Sequence, residues 1–238
     1  MRAILLAAGM GTRISRYLSG KPKCTVDIGG ISLIENTIKM FNKKGVYDIA
    51  IVLGYNGQVI KDILRDYNVV FYENPFYDVT NSIASMWFAK DFLTVNDRYL
   101  IMNADVFLQD ELLDRILVED KSPVMFADGN RKDEADYKFK YEDGILKKYG
   151  KELEGDDITG EYIGVGSFDF SFIKEFTNEM EKMIHSQIHN VWWENVVYQI
   201  SENRNVYVSD IAGLFWAEVD YIEDYKRILE FRGASDER

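Results

Sequence analysis

The sequence predicts an α/β fold: a mainly parallel twisted sheet flanked by helices, with a small β-rich elaboration in its second half. Three observations lead there. Short apolar β-rich runs alternate through the first half with segments whose apolar residues recur at helical spacing. The opening run, residues 2–8, is apolar from Ala3 onward, as a strand covered on both faces must be. It then passes directly into small and glycine residues, the way a buried strand meets a connection at the edge of a sheet.

The elements follow in order. After the glycine-bearing connection, residues 32–44 read as a helix: Ser32 and Glu35 have capping-box spacing, Leu33, Ile34, Thr37, Ile38 and Phe41 form one face, and Gly45 stops it. A strand at 47–53, a helix at 58–67 and a strand at 69–72 come next. Asn74-Pro75 marks a turn, and Asn81 or Ser82 caps a helix running through Phe92. Residues 98–103 form another buried strand, ending at Asp105. Beyond it the pattern changes to a helix at 111–118 and β-like runs at 124–127, 137–141 and 162–168. The acidic stretch GKELEGDDITGE between the last two reads as a mobile surface loop. Ile173, Phe176, Met180 and Met183 place a helix at 170–184, and a second helix spans 191–201. A strand at 205–209 and a helix at 221–231 close the chain. No repeat, low-complexity tract or linker divides it, so residues 1–238 are read as a single domain.

Composition narrows the function. The chain has 238 residues, 47% hydrophobic and 29% charged, with three prolines, which is ordinary for a globular protein. Its net charge of −12 repels polyanions unless bases are clustered locally, which disfavours general nucleic-acid binding. Cys24 stands alone, so neither an intramolecular disulfide nor a thiolate metal site can form. No apolar run approaches the roughly 18 to 20 residues that cross a bilayer, which disfavours membrane insertion; the expected location is cytoplasmic. His185 and His189, at i, i+4 with no acid between them, read as surface-helix residues.

The most informative segment is LLAAGMGTRISRYLSGKPK, residues 5–23. Glycine lets backbone N–H groups approach an anion, and Arg13, Arg16, Lys21 and Lys23 gather positive charge in an acidic protein. The composition suits phosphate. Ile14 stands where a dinucleotide fingerprint needs glycine, and the Gly-Lys-Ser/Thr of a Walker A loop is absent. In MNADVFL a buried strand presents Asp105 at the carboxyl edge of the sheet, where an aspartate can hold a divalent cation. No Ser-His-Asp or Cys-His arrangement can be assembled.

LAAGMGTR followed by Pro22-Lys23 resembles the signature of the nucleotidyltransferases that join NTPs to sugar phosphates and related phosphate acceptors. The resemblance implies a nucleotide-diphospho-sugar transferase-like, Rossmann-like fold. It also implies that Leu6, Ala7, Ala8, Gly9, Met10, Gly11 and Thr12 wrap the nucleotide, while Arg13 and Lys23 contact its phosphates and act in catalysis. Asn103 and Ala104 would then flank the nucleotide, with Asp105 on Mg²⁺. A second metal-binding acid near the chain end is implied too, and AEVDYIEDY supplies Asp220, for which helix N-capping is the other reading. Glu218, two residues earlier, is either a ligand or a neighbour. Gly54-Tyr55 is similar to the family's Gly-Tyr turn at the nucleotide pocket.

The acceptor side is read from further resemblance. Hexose-1-phosphate members carry a Glu-Lys-Pro segment; here Glu161-Tyr162 has no lysine after the acid. NPFYDVTNSIASMWFA and VWWENVV are similar to segments of the small cytidylyltransferases that activate phosphocholine or aminoalkylphosphonates. This implies that Asn81 and Ser82 either approach the cytosine or ribose or cap a helix. It makes Glu161, Tyr162, Trp192, Trp193 and Glu194 acceptor-binding candidates, the tryptophans either as a cage for an ammonium or as aromatic core filling. Consecutive helical residues diverge by about 100°, so one tryptophan faces the site while the other packs in the core. The implied reaction is Mg²⁺-dependent transfer of CMP from CTP to a small phosphorylated or phosphonylated acceptor, releasing pyrophosphate. A sugar- or polyol-1-phosphate nucleotidyltransferase and a non-catalytic nucleotide-binding subunit are the alternatives, and a homo-oligomer is compatible with each.

Overall fold

A computed structural model describes residues 1–11, 13–14, 18–132 and 134–236. Thr12 and Arg16 lie outside the described residues. The strands β1 (Arg2–Ala7), β2 (Asp48–Leu53), β3 (Val70–Glu73), β4 (Tyr99–Asn103), β6 (Val124–Asp128), β7 (Lys138–Glu142), β8 (Ile145–Gly150), β9 (Gly160–Phe168) and β10 (Tyr207–Asp210) form one sheet in the order β3-β2-β1-β4-β9-β6-β10-β8-β7. β5 (Val106–Leu108) and β11 (Trp216–Glu218) make a separate antiparallel pair. The helices are α1 (Leu33–Lys43), α2 (Gly57–Ile63), α3 (Ser82–Phe88), α4 (Asp110–Val118), α5 (Phe170–His185), α6 (Glu194–Ser201) and α7 (Ile222–Asp236).

The α/β class is the expected one. Parallel pairing unites β3, β2, β1 and β4, and again β10 with β6, while β9 runs antiparallel to β4 and β6. Along β1 the pleat sends Ile4 and Leu6 into the layer shared with α3, α5 and α6, and Ala3, Leu5 and Ala7 into the layer shared with α1 and α4. Both faces are therefore dry, which is why this strand has no polar alternation. α1 starts where expected: Ser32 Oγ accepts the Glu35 N–H at 3.3 Å. The reciprocal half of the capping box does not form, because the Glu35 carboxylate accepts from Tyr67 Oη at 2.8 Å instead. Asp169 caps α5 by accepting the Phe172 N–H at 2.8 Å.

Several boundaries differ from the sequence expectation, each for a local reason. The helix expected to run through Phe92 ends at Phe88 and continues as a 3₁₀ turn over Lys90–Thr94. There the Phe92 carbonyl accepts from the Arg2 guanidinium (2.6 Å) and the Val95 carbonyl from Tyr99 Oη (2.7 Å), which replaces helical hydrogen bonding. The helix expected from Val191 begins at Glu194, because the preceding residues pair with the entry to α3: Asn81 N–H donates to the His189 carbonyl and Ile83 N–H to that of Val191. β8 was not expected at all, although Asp143-Gly144, with φ of +50° and +69°, is the two-residue turn that joins hairpin strands. The stretch expected to be a loose loop is tied down. Lys138 Nζ donates to the carbonyls of Lys151 and Leu153, and Lys140 Nζ to that of Asp156.

Gly54 is where the strand ends press closest. A Cβ there would lie 2.6 Å from the Ala8 carbonyl oxygen and 2.7 Å from Tyr77 Cβ, while the adjacent Tyr55 N–H donates to that same carbonyl at 3.1 Å. Gly54→Ala should therefore cost about 1–3 kcal/mol by overpacking. Urea denaturation reads this directly; a wild-type midpoint for the variant would show that the approach is looser than described.

Candidate active site

Three strand ends meet at one edge of the sheet. Leu6 pairs with Asn103 across β1 and β4, and the Ala104 N–H donates to the Leu6 carbonyl at 3.0 Å, so the glycine segment lies beside the Asp105 turn. The β5–β11 pair sets Glu218 opposite Val106, and the Val219 N–H donates to the Asp105 carbonyl at 3.0 Å. Asp105, Glu218 and Asp220 thereby offer oxygens that all lie within 4.8 Å of one another. Into this cluster reaches Lys23, its Nζ 2.5 Å from both Asp105 and Asp220. Gly11, at φ +58°, allows the passage: a Cβ there would sit 2.3 Å from Lys23 Cγ. Arg13 completes the group at 2.7 Å from Asp220.

The electrostatics follow from this crowding. Burial pulls the Lys23 ammonium down, but Asp105, Asp220 and Glu218 outweigh it and hold the lysine charged, above its ordinary range. Burial also opposes the Asp220 carboxylate, yet Lys23 and Arg13 keep it below the usual range. Glu218 is driven the other way, by burial first and then by the charge of Asp105. Three carboxylates are hard oxygen donors of the kind that hold Mg²⁺.

A cleft of about 500 Å³ runs from this cluster between the sheet edge and the loops preceding α3 and α6. Of the residues singled out in the sequence, Leu6, Ala8, Gly9, Gly11, Arg13, Lys23, Asn81, Ser82, Asn103, Asp105, Glu161, Tyr162, Trp192, Glu194 and Asp220 line it, as does Glu218. The others do not. Ala7 and Ala104 point into the core layer under α1 and α4, and Met10 projects outward. Gly54 and Tyr55 stand behind the glycine segment, supporting Ala8. Trp193 is fully buried, packed on Phe168 and Phe176, with Nε1 donating to Asn103 Oδ1 at 3.2 Å. The divergence of the two tryptophans is as expected, with Trp192, 40% exposed, at the cleft. The cause is different, because both precede α6.

Other side chains in the cleft already have structural partners. Asn81 Oδ1 accepts the Ser82 N–H at 2.8 Å, and Ser82 Oγ accepts the Trp193 N–H at 2.9 Å, so capping is real at the entry to α3. The Glu161 carboxylate is taken by Arg131 Nε at 2.6 Å and by the Asp136 N–H at 2.8 Å, which makes it a brace for residue 136. Asp220 does not cap α7; the N–H groups of Asp220 and Tyr221 point to Asp224 Oδ2. His185 and His189 share no site, since α5 ends at His185.

Sequence reasoning missed Asn74, Tyr77, Thr80 and Ser85 at one end of the cleft and Asp136, Tyr137, Lys151 and Tyr198 at the other. Asn74 had been read as a turn residue. It is buried and donates to Thr80 Oγ1 and Ser85 Oγ at 3.1 and 3.0 Å. At the far end, Tyr137 meets Trp192 edge to face with centroids 5.5 Å apart and stacks at 5.9 Å on Tyr198. Burial pushes the Glu194 carboxyl there up to about 8, with the Asp105 charge adding to the rise. The Oη atoms of Tyr162 and Tyr198 are buried there, beside Glu194 and Tyr137 respectively.

Residues 3–144 match the family description of a MobA-like NTP transferase domain. Over 97% of its length the chain is 26% identical to the CTP:phosphoglutamine cytidylyltransferase of Campylobacter jejuni, all of which is covered. It is 27% identical to the choline-phosphate cytidylyltransferase of Streptococcus pneumoniae, with 97% of each chain covered. The solved CTP:phosphocholine cytidylyltransferase of Streptococcus pneumoniae superposes with a TM-score of 0.80 at 24% identity, over 97% of this chain and 98% of that one, and has the same fold. A glycine segment, two bases and three converging acids are thus set in a fold shared with that solved structure, and the chain belongs to the MobA-like NTP transferase domain family as a nucleotidyltransferase.

Proposed function

We propose that the protein transfers CMP from CTP to a small acceptor that carries a phosphate or phosphonate at one end and a cation at the other, with phosphocholine the first acceptor and an aminoalkylphosphonate the second. The observation that carries this reading is the polarity of the cleft. One end has Arg13, Lys23 and three carboxylates; the other has Trp192 and Tyr137 beside Asp136 and Glu194. An ammonium over an aromatic face gains roughly 0.5 to 2 kcal/mol, and a nearby carboxylate adds to it. The names of the two curated relatives, both cytidylyltransferases acting on phosphorylated small molecules, agree with a CTP donor. A CTP donor in turn supports a cytoplasmic location. Among the described residues no helix is long and apolar enough to cross a membrane.

The chemistry needs charge neutralisation more than proton transfer. The acceptor's phosphate oxygen is anionic at neutral pH and attacks the α-phosphorus directly; an O–P bond forms, the bond to the bridging oxygen breaks, and pyrophosphate leaves with the electron pair. Arg13 and Lys23 stand where the triphosphate meets the glycine segment and neutralise its developing charge. The carboxylates of Asp105, Asp220 and Glu218 fit a divalent cation, which when bound supplies further charge neutralisation at the triphosphate oxygens.

Pyrophosphate release should be seen with CTP and phosphocholine or 2-aminoethylphosphonate, measured against the other NTPs and against glucose-1-phosphate. Turnover confined to a sugar phosphate would transfer the assignment to the sugar-phosphate alternative. Asp105→Asn should leave the circular dichroism spectrum unchanged while lowering metal-dependent turnover by about 100-fold or more. Near-normal activity would remove Asp105 from the mechanism. Trp192→Ala should raise KM for the cationic acceptor about tenfold while leaving KM for CTP near wild type, and equal effects on both would reduce Trp192 to a packing residue.

A further inference from the structure

Among the described bases lining the cleft, Lys151 is the one whose ammonium is not engaged by the acid cluster. Arg13 and Lys23 both bind Asp220, whereas Lys151 Nζ lies 2.7 Å from the Asp136 carboxylate and 5.6 Å from the centre of the Trp192 ring. Its neighbours are therefore a carboxylate and an aromatic face, the same two groups that the cationic end of the proposed acceptor would seek. Lys151 also lines the same cleft as Arg13, Lys23 and Asp220, so its side chain opens onto the phosphate end.

The local structure holds the backbone here and leaves the side chain able to move. Lys138 Nζ fixes the carbonyls of Lys151 and Leu153 at 2.9 and 3.0 Å. Gly150, at φ +141°, makes the bend out of β8, where a Cβ would collide with the Glu152 carboxylate. The Lys151 side chain is 41% exposed. Asp136 is steadied from below, its N–H donating to Glu161 Oε1 and Glu161 in turn bonded to Arg131.

We propose that Lys151 is the residue that binds the acceptor's phosphate. In the free protein its ammonium rests on Trp192 and Asp136; the acceptor's own cation takes that place, and Lys151 moves to the acceptor's phosphate. The exchange is cation for cation, so Trp192 and Asp136 keep a positive partner throughout. The ammonium arrives where two anions, the α-phosphate and the attacking phosphate, must approach, and it lessens their repulsion. A zwitterionic acceptor satisfies both halves of the exchange, whereas a bare phosphate monoester would draw Lys151 away and leave Asp136 unpaired.

This inference rests on the proposed function, and the test separates the two. Wild type, Lys151→Ala and Lys151→Arg would be assayed with CTP and phosphocholine, and tetramethylammonium binding would be measured by calorimetry. Lys151→Ala should raise KM for phosphocholine about ten- to a hundredfold, with KM for CTP changed by less than about threefold, and Lys151→Arg should recover most of the loss. Tetramethylammonium, which has no phosphate, should bind Lys151→Ala several-fold more tightly than wild type, because no resident lysine must be displaced. A merely structural lysine would not produce that gain. If wild type turns over phosphocholine, then an unchanged acceptor KM, a parallel rise in both KM values, or unchanged tetramethylammonium affinity in Lys151→Ala overturns the role of Lys151 alone. If folded wild type turns over neither phosphocholine nor 2-aminoethylphosphonate, the functional reading and this inference fall together.

Discussion

Everything about the site depends on one lysine held among three carboxylates. Asp105, Glu218 and Asp220 would repel one another strongly in a buried corner, and Lys23 is the counter-charge that lets them converge. The arrangement is costly on its own terms, since taking such groups out of water is repaid only by close, well-formed contacts. The fold meets that requirement with backbone structure. β1 and β4 fix Lys23's neighbour Asp105 against the glycine segment, and the three-residue pair β5–β11 carries Glu218 and Asp220 in from the far end of the chain. Gly11 is what leaves room for the lysine stem.

This pattern also accounts for how a protein of net charge −12 would handle the two anionic substrates of the proposed function. Local arrangement decides, because fields from distant surface charges are screened over roughly 8 to 10 Å at physiological salt. The cleft's bases stand on its two sides, Arg13 and Lys23 at the sheet edge and Lys151 across from them, with acids interleaved so that each base has a carboxylate partner. Acids that bind bases in the free protein keep the site from being a simple positive patch.

The sequence showed the fold and the phosphate end of the cleft more clearly than the acceptor end. β1, β2 and β4 were legible because burial on both faces leaves continuous apolar runs, and α1 and α5 because an apolar face and an N-cap are local signals. Asp105 was singled out because it follows such a strand, and Arg13 and Lys23 because the segment LAAGMGTR with Pro22-Lys23 resembles a family signature. The short strands β5 and β11 carry too few residues for any periodicity, so the position of Glu218 beside Asp105 was not determined by spacing. The acceptor end is assembled from separate segments: Asp136 and Tyr137 enter from a loop, Lys151 from the stretch that composition described as mobile, and Tyr198 from α6. Trp193 was misplaced for the complementary reason. Its identity marked it as a cage residue, and only tertiary packing shows that its ring belongs to the layer with Phe168 and Phe176.

Trp193 nonetheless bears on the chemistry by joining the two ends. Its indole N–H reaches Asn103, two residues before Asp105, and its backbone N–H reaches Ser82 at the entry to α3. The next residue toward the cleft is Glu194, and the preceding one is Trp192. One buried ring thus sets the distance between the strand that carries Asp105 and the segment that carries the acceptor-side aromatics. Because it packs in a dry layer, where interiors are as dense as organic crystals, that distance cannot drift without opening a void. In-line transfer between two bound phosphates depends on such fixed spacing, since misplacement by an ångström can cost about a hundredfold in rate. Under the proposed function, the core tryptophan is therefore an element that would keep the donor and acceptor ends in register.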